Sequence, residues 1–338
     1  MQWMAMERRN TLASAHLKQP ELKALTGVRG VAAVVVALAH LHIMLPANLH
    51  MFYMWHNAAV DLFFVLSGFT LCYAYGYGTG RRLKVGKYLL ARVARIYPLY
   101  ALTLMIAWAI YVVHFTPPPA YPVGRLVRDA VAQLLTVNAW PLIGNGVHWN
   151  SPSWSVSVEV FCYVFAFPVI FLLPRMRSDA AILIITTLLM IGSYFLFMWY
   201  FDSRLLNSEI YTPPSAISYY VNPARGILGF VSGWLIYCAY INDGWLRRAA
   251  ARGLGLVLVF AFAILVAWYY GVVNAQALLL TFPLIILGTA DGRGLVARGL
   301  TCGPFQFLGE ISYSIYLTHI LVFVAFLRWA GLQPGEGF

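Results

Sequence analysis

Few residues in this chain can do chemistry, and several of those few lie inside stretches that are otherwise oily. Arg29 and His40 bracket ten residues that are all Gly, Ala, Val or Leu. Eleven residues advance a helix by about three turns, so both side chains share one face, about 16–17 Å apart. Asp61, in AAVDLFFVLSGF, and Glu159, in SPSWSVSVEVFCY, are the two acids that fall clearly inside apolar runs. Ionisable groups in such places are costly and mark function. A carboxylate beside an imidazole fixes its tautomer and stabilises its protonated form, the arrangement of a general base with an orienting partner. His40 is therefore expected as the base, with Asp61 or Glu159 orienting it. Arg92 and Arg95, three residues apart in RRLKVGKYLLARVARIYP, share a helical face. With Arg29 they form a cationic mouth suited to phosphate, which guanidinium groups bind in bidentate fashion.

The elements that must position these groups are membrane helices. Of 338 residues, 61% are hydrophobic and only 10% charged, where a soluble domain carries roughly a quarter charged. Apolar runs of roughly 20 residues, enough to cross a hydrocarbon core, lie near 24–45, 58–77, 98–115, 152–173, 180–201, 224–240, 253–271, 273–289 and 306–330. The stretch 126–143 is weaker and reads as amphipathic or re-entrant. The expectation is an all-α, polytopic bundle of about nine or ten spans: a cytoplasmic tail over 1–23 and one membrane domain over 24–338. With the N-terminus inside, eighteen of the 23 lysines and arginines fall on the cytoplasmic side, as the positive-inside rule requires. The net charge of +11 is thus a topology signal, and nothing resembles a nucleic-acid surface. Asp61 and Glu159 come early in two inward-running spans, which places both at the depth of His40. The four cysteines are scattered singly, and neither they nor the histidines have metal-site spacing.

Five segments, in order, resemble the motifs of the type-3 integral-membrane acyltransferases: LTGVRGVAAVVVALAH, VDLFFVLSGF, RVARIYPLY, SPSWSVSVEVFCY and ISYSIYLTH. The resemblance covers nearly the whole chain. It implies an enzyme that takes an acyl group, usually acetyl, from cytoplasmic acyl-coenzyme A and passes it to a hydroxyl. The acceptor is commonly a sugar of an exopolysaccharide, lipopolysaccharide or lipid-linked glycan, so the expected home is the inner (plasma) membrane. Some relatives acylate macrolide sugars or other small molecules. The family's essential histidine matches His40, its arginine Arg29 and its glutamate Glu159.

On this reading Arg29, Arg92 and Arg95 hold the donor's phosphates. The pantetheine arm runs along Gly30, Ala33 and Ala37, with Ser67 and Gly68 lining the same tunnel. Trp154, Ser155, Tyr163, Tyr313 and His319 are the candidates for shaping the acceptor site. Direct attack with His40 as base and an acyl-histidine relay both stay open. A transporter without acyl transfer is the competing class, and the sequence lacks the inverted repeat and paired broken helices such proteins show. Oligomeric state is left open.

Overall fold

The computed structural model describes residues 20–40, 55–114, 123–143, 149–206 and 218–329. Those residues are overwhelmingly helical and contain no strand. Seven helical stretches are long and apolar enough to cross a membrane, and an eighth, bent pair passes the same test as one unit. In chain order the helices are α1 (Lys23–His40), α2 (Trp55–Tyr75), α3 (Val85–His114), the short α4 (Val123–Leu134) and α5 (Ser153–Phe161). After a π-helical turn, Cys162–Ala166, come α6 (Phe167–Leu172), α7 (Asp179–Leu206), α8 (Ser218–Asn242) and α9 (Trp245–Tyr269). A 3-10 segment, Ala275–Leu280, leads into α10 (Phe282–Ala290), α11 (Gly294–Gly299), α12 (Gly303–Glu310) and α13 (Ser312–Trp329).

Seven of the nine expected spans form as such. The run near 273–289 is instead a broken, shorter apolar helix over Ala275–Ala290, and the run near 306–330 is bent by 69° between Gly303–Glu310 and Ser312–Leu327. The stretch 126–143 does not cross. Helix α4 has 12 residues, a length of about 18 Å against a hydrocarbon core of about 30 Å. Its far end is tied to α3, with the Tyr100 hydroxyl donating to Gln133 O at 2.8 Å. The turn that follows is tied to α5: Ser157 Oγ donates to Thr136 O at 2.7 Å and accepts from Ala139 N at 3.0 Å. A segment that enters the bundle without crossing it preserves the alternation of the spans. The links carrying Arg81, Arg82, Arg175, Arg177, Arg293 and Arg298 then share one side with the start of α1. We call this the basic end.

Close backbone packing sets the helix arrangement. A Cβ on Gly68 of α2 would lie 2.0 Å from Phe230 O of α8, and one on Gly233 of α8 would lie 2.1 Å from Val65 O. Small residues at a membrane interface let backbones approach until dispersion and weak polar contacts hold them. Helix α12 sits on α1 in the same way, where a Cβ on Gly30 would come within 2.6 Å of Gly309 N. The expected pantetheine path along Gly30 is thereby closed, because the backbone of α12 fills that face. Gly68 is likewise filled by α8 and lines no tunnel.

The π turn has a local cause. Pro168 lacks an N–H and its ring collides with the carbonyl four residues back in a regular helix. Widening the preceding turn, closed by Phe167 N to Cys162 O, relieves that collision, and such turns gather at functional sites.

Candidate active site

The site is a polar column between α1, α2, α5 and α13. At its basic end, Arg29 donates through Nε and Nη2 to Gly309 O, at 3.3 and 2.9 Å. Gly309 lies in the last turn of α12, where carbonyls lack helical partners. Arg29 and the Ser312 hydroxyl, at 2.8 Å, satisfy that carbonyl at the bend. Arg95 and Glu159 both act electrostatically on the Arg29 guanidinium. Arg92 stands over the Tyr75 ring, 5.7 Å from its centroid, and its buried Nε has no hydrogen-bond partner. Arg95 is exposed. The three arginines therefore gather at one end of the bundle, with Arg29 reaching furthest inward.

Next comes Glu159. Its Oε1 accepts from Ser67 Oγ of α2 at 2.6 Å and from the Tyr163 hydroxyl on the π turn. Tyr163 is itself buried, and its carbonyl accepts from the Tyr88 hydroxyl of α3 at 3.2 Å. Tyr313 donates to Ile96 O of α3 at 3.0 Å. Further along, Ser155 and Tyr316 share a hydrogen bond of 2.5 Å between α5 and α13. The column ends where the rings of His40 and His319 meet edge to face, centroids 4.9 Å apart.

The two histidines are oriented alike. His40 Nδ1 lies 2.9 Å from Val36 O, and His319 Nδ1 lies 3.2 Å from Ile315 O. A carbonyl only accepts, so each Nδ1 carries a proton, and in the neutral ring each Nε2 keeps the lone pair. Backbone carbonyls one turn back thus fix the tautomer a general base needs.

This corrects the expected orienting partner. Glu159 Oε1 is bonded to Ser67 and Tyr163, and Asp61 belongs elsewhere. Asp61 Oδ2 pairs with Arg225 Nη2 at 2.7 Å and accepts from Gln276 Nε2. Asp61 is 1% exposed, Arg225 2% and Gln276 0%. The matched depth also fails. Glu159 bonds Ser67, six residues and about 9 Å beyond Asp61 along α2. The cause is the non-crossing segment: Asn150 Nδ2 already bonds Leu317 O of α13 at 2.9 Å, so α5 starts deep in the bundle. Trp154 turns from the column as well. Its ring packs on Phe64, centroids 6.5 Å apart, and under the Arg225 guanidinium at 6.0 Å.

Of the sequence candidates, the column unites Arg29, Ser67, Ser155, Glu159, Tyr163, His319 and His40, with Tyr313, Arg92 and Arg95 beside its basic end. Asp61 and Trp154 fall outside it. Sequence reasoning missed Tyr316, although it stands three residues from both Tyr313 and His319 on one helical face. It also passed over Arg225, although a lone arginine within the apolar run 224–240 is itself a signal of a buried partner. Among the described residues no three His, Cys, Asp or Glu side chains cluster as a metal site would require.

Comparison with known proteins places the chain in a family. The family profile described as "Acyltransferase domain" (Acyl_transf_3) matches residues 22–335. The chain is 29% identical to Acyltransferase MdmB of Streptomyces mycarofaciens, over 89% of this chain and 79% of that protein. It is 36% identical to Protein 2 in picA locus of Rhizobium radiobacter, over 40% of this chain and 75% of that one. It is 25% identical to the Putative peptidoglycan O-acetyltransferase YrhL of Bacillus subtilis, over 89% of this chain but only 48% of that protein. No solved structure matches. This multi-pass helical chain, matched along nearly its whole length, belongs to the Acyl_transf_3 acyltransferase family.

Proposed function

We propose that this chain is an O-acyltransferase of the inner (plasma) membrane. It moves an acetyl group from acetyl-coenzyme A at the cytoplasmic face to a sugar hydroxyl of a cell-surface glycan at the opposite face. The observation that carries this reading is the placement of its two ends, with Arg29 at the Gly309 bend and His40 against His319. Cations suited to phosphate stand at the basic end, His40 stands at the other, and α1 separates Arg29 from His40 by about 16–17 Å. A long, thin donor arm anchored by its phosphates would bring its thioester towards the histidine. The name of the Bacillus relative speaks for a glycan acceptor, and its low coverage leaves that acceptor to be tested here.

In the reaction we propose, the acceptor oxygen attacks the thioester carbonyl while His40 Nε2 takes the hydroxyl proton. The carbon–sulfur bond then breaks, and the departing thiolate recovers that proton from His40. The products are the sugar ester and free coenzyme A.

The test uses purified protein in nanodiscs with radiolabelled acetyl-coenzyme A. Wild type is expected to bind it and release the thiol. His40→Ala should bind without turnover, and Arg29→Ala should bind weakly. Cells expressing wild type should carry more ester-linked acetyl on extracted surface glycan than cells expressing His40→Ala. Label that stays on wild-type protein would replace direct attack with a histidine relay. Absence of binding by wild type would overturn the donor assignment.

A further inference from the structure

Glu159 stands in the column with two donors on one oxygen. Ser67 and Tyr163 both hydrogen-bond Oε1, and among the described residues no hydrogen bond reaches Oε2. The residue is only partly buried, yet its surroundings are protein. Ser67 comes from α2 and Tyr163 from the π turn, and Arg29 of α1, Tyr88 of α3, and Tyr313 and Tyr316 of α13 lie within its electrostatic reach. The carboxylate therefore stands among side chains of α1, α2, α3 and α13. A carboxylate oxygen in such a place is expensive to leave unpaired.

The position along the column identifies the missing donor. Ser155 precedes Glu159 by four residues on α5, so it lies about 6 Å closer to the histidine end. Ser155 is bonded to Tyr316, which in turn precedes His319 by one turn. Glu159 thus faces the middle of the path, between the arginine mouth and the reacting end. The pantetheine arm of coenzyme A is neutral there, and its hydrogen-bond donors are two secondary amide N–H groups and one hydroxyl.

We propose that Glu159 reads the pantetheine arm of the donor, accepting an amide N–H on Oε2, and so selects pantetheine thioesters over other acyl thioesters. This rests on coenzyme A being the donor. Ser67 and Tyr163 are the positioning residues: holding Oε1 from two sides turns Oε2 into the path.

The test compares two probes, acetyl-coenzyme A and adenosine 3′,5′-bisphosphate, which keeps the adenine, the 3′-phosphate and the inner 5′-phosphate but lacks the outer phosphate and the arm. Affinities are measured on the full-length protein in nanodiscs. Glu159→Gln keeps the shape and an oxygen for Ser67 and Tyr163, but it turns an NH2 towards the amide N–H. A hydrogen bond to a charged group is worth about tenfold or more in affinity. Glu159→Gln is therefore expected to bind acetyl-coenzyme A at least about tenfold more weakly and the bisphosphate unchanged. Tyr163→Phe, which keeps the carboxylate and frees one restraint, should lose several-fold on acetyl-coenzyme A alone. Equal losses on both probes would make Glu159 a structural partner of Arg29 and overturn the proposal, as would unchanged affinity for both. If wild type binds neither probe, the donor assignment itself falls, which is a distinguishable failure. If Glu159→Gln fails to fold, the Tyr163→Phe ratio decides alone.

Discussion

His40 and His319 come from opposite ends of the sequence and meet edge to face at 4.9 Å, each with Nδ1 turned to the carbonyl one turn back on its own helix. The pair depends on α1 and α13 rising in parallel from the contact of Arg29 with Gly309. Arg29 meets Gly309 beside the bend and His40 meets His319 near the other end of both helices, so α1 and α13 run the same way between the two contacts.

General-base catalysis contributes about 10²–10⁴-fold. His40→Ala is expected to lower the rate of transfer by that much while leaving acetyl-coenzyme A affinity unchanged. His319 is 5% exposed, and its buried Nε2 has no hydrogen-bond partner. His319→Phe preserves the packing and removes one hydrogen-bond acceptor, with an expected loss of about tenfold in kcat/KM. Steady-state kinetics with binding isotherms separate the two. Equal losses in both variants would make the pair one unit.

The Asp61–Arg225 pair separates structural from chemical roles. Removing one member of a buried ion pair strands the other and costs about 3–5 kcal/mol, whereas an apolar replacement of both is often neutral. Arg225→Met is expected to lower the apparent Tm by several degrees. Asp61→Leu combined with Arg225→Met should recover most of it and retain acyl transfer. A double variant as stable as wild type but inactive would return Asp61 to the reaction.

How far the sequence reaches follows from these residues. The bundle and the Arg29–His40 face are legible because helical period and apolar run length are local properties. Depth is not. Placing Glu159 beside His40 assumes that α5 starts at the membrane surface, and the non-crossing segment after α4 moves that start inward. Partner choice is equally invisible: Asp61 is distant in sequence from both Arg225 and Gln276, and only the close packing of α2 on α8 brings Asp61 and Arg225 together. The His40 ring is turned to the Val36 carbonyl, a group that every residue carries and no motif can mark.

The crossing of α12 on α1 gives the last prediction. A Cβ on Gly309 would sit 2.2 Å from Thr26 O, a backbone atom that cannot swing aside. Gly309→Ala must push the two helices apart, at a cost of about 1–3 kcal/mol or more. The push also draws the Gly309 carbonyl from Arg29, so affinity for acetyl-coenzyme A should fall together with the apparent Tm. Gly255 on α9 is the control, since a Cβ there meets nothing within 4 Å. Gly255→Ala removes a helix-interior glycine and is expected to leave binding intact while stabilising by up to about 1 kcal/mol. Thermal unfolding and binding measured on the same preparations decide the matter. If Gly309→Ala lost stability but kept full donor affinity, Arg29 would hold its position without the α12 carbonyl, and the bend would be no part of the donor site.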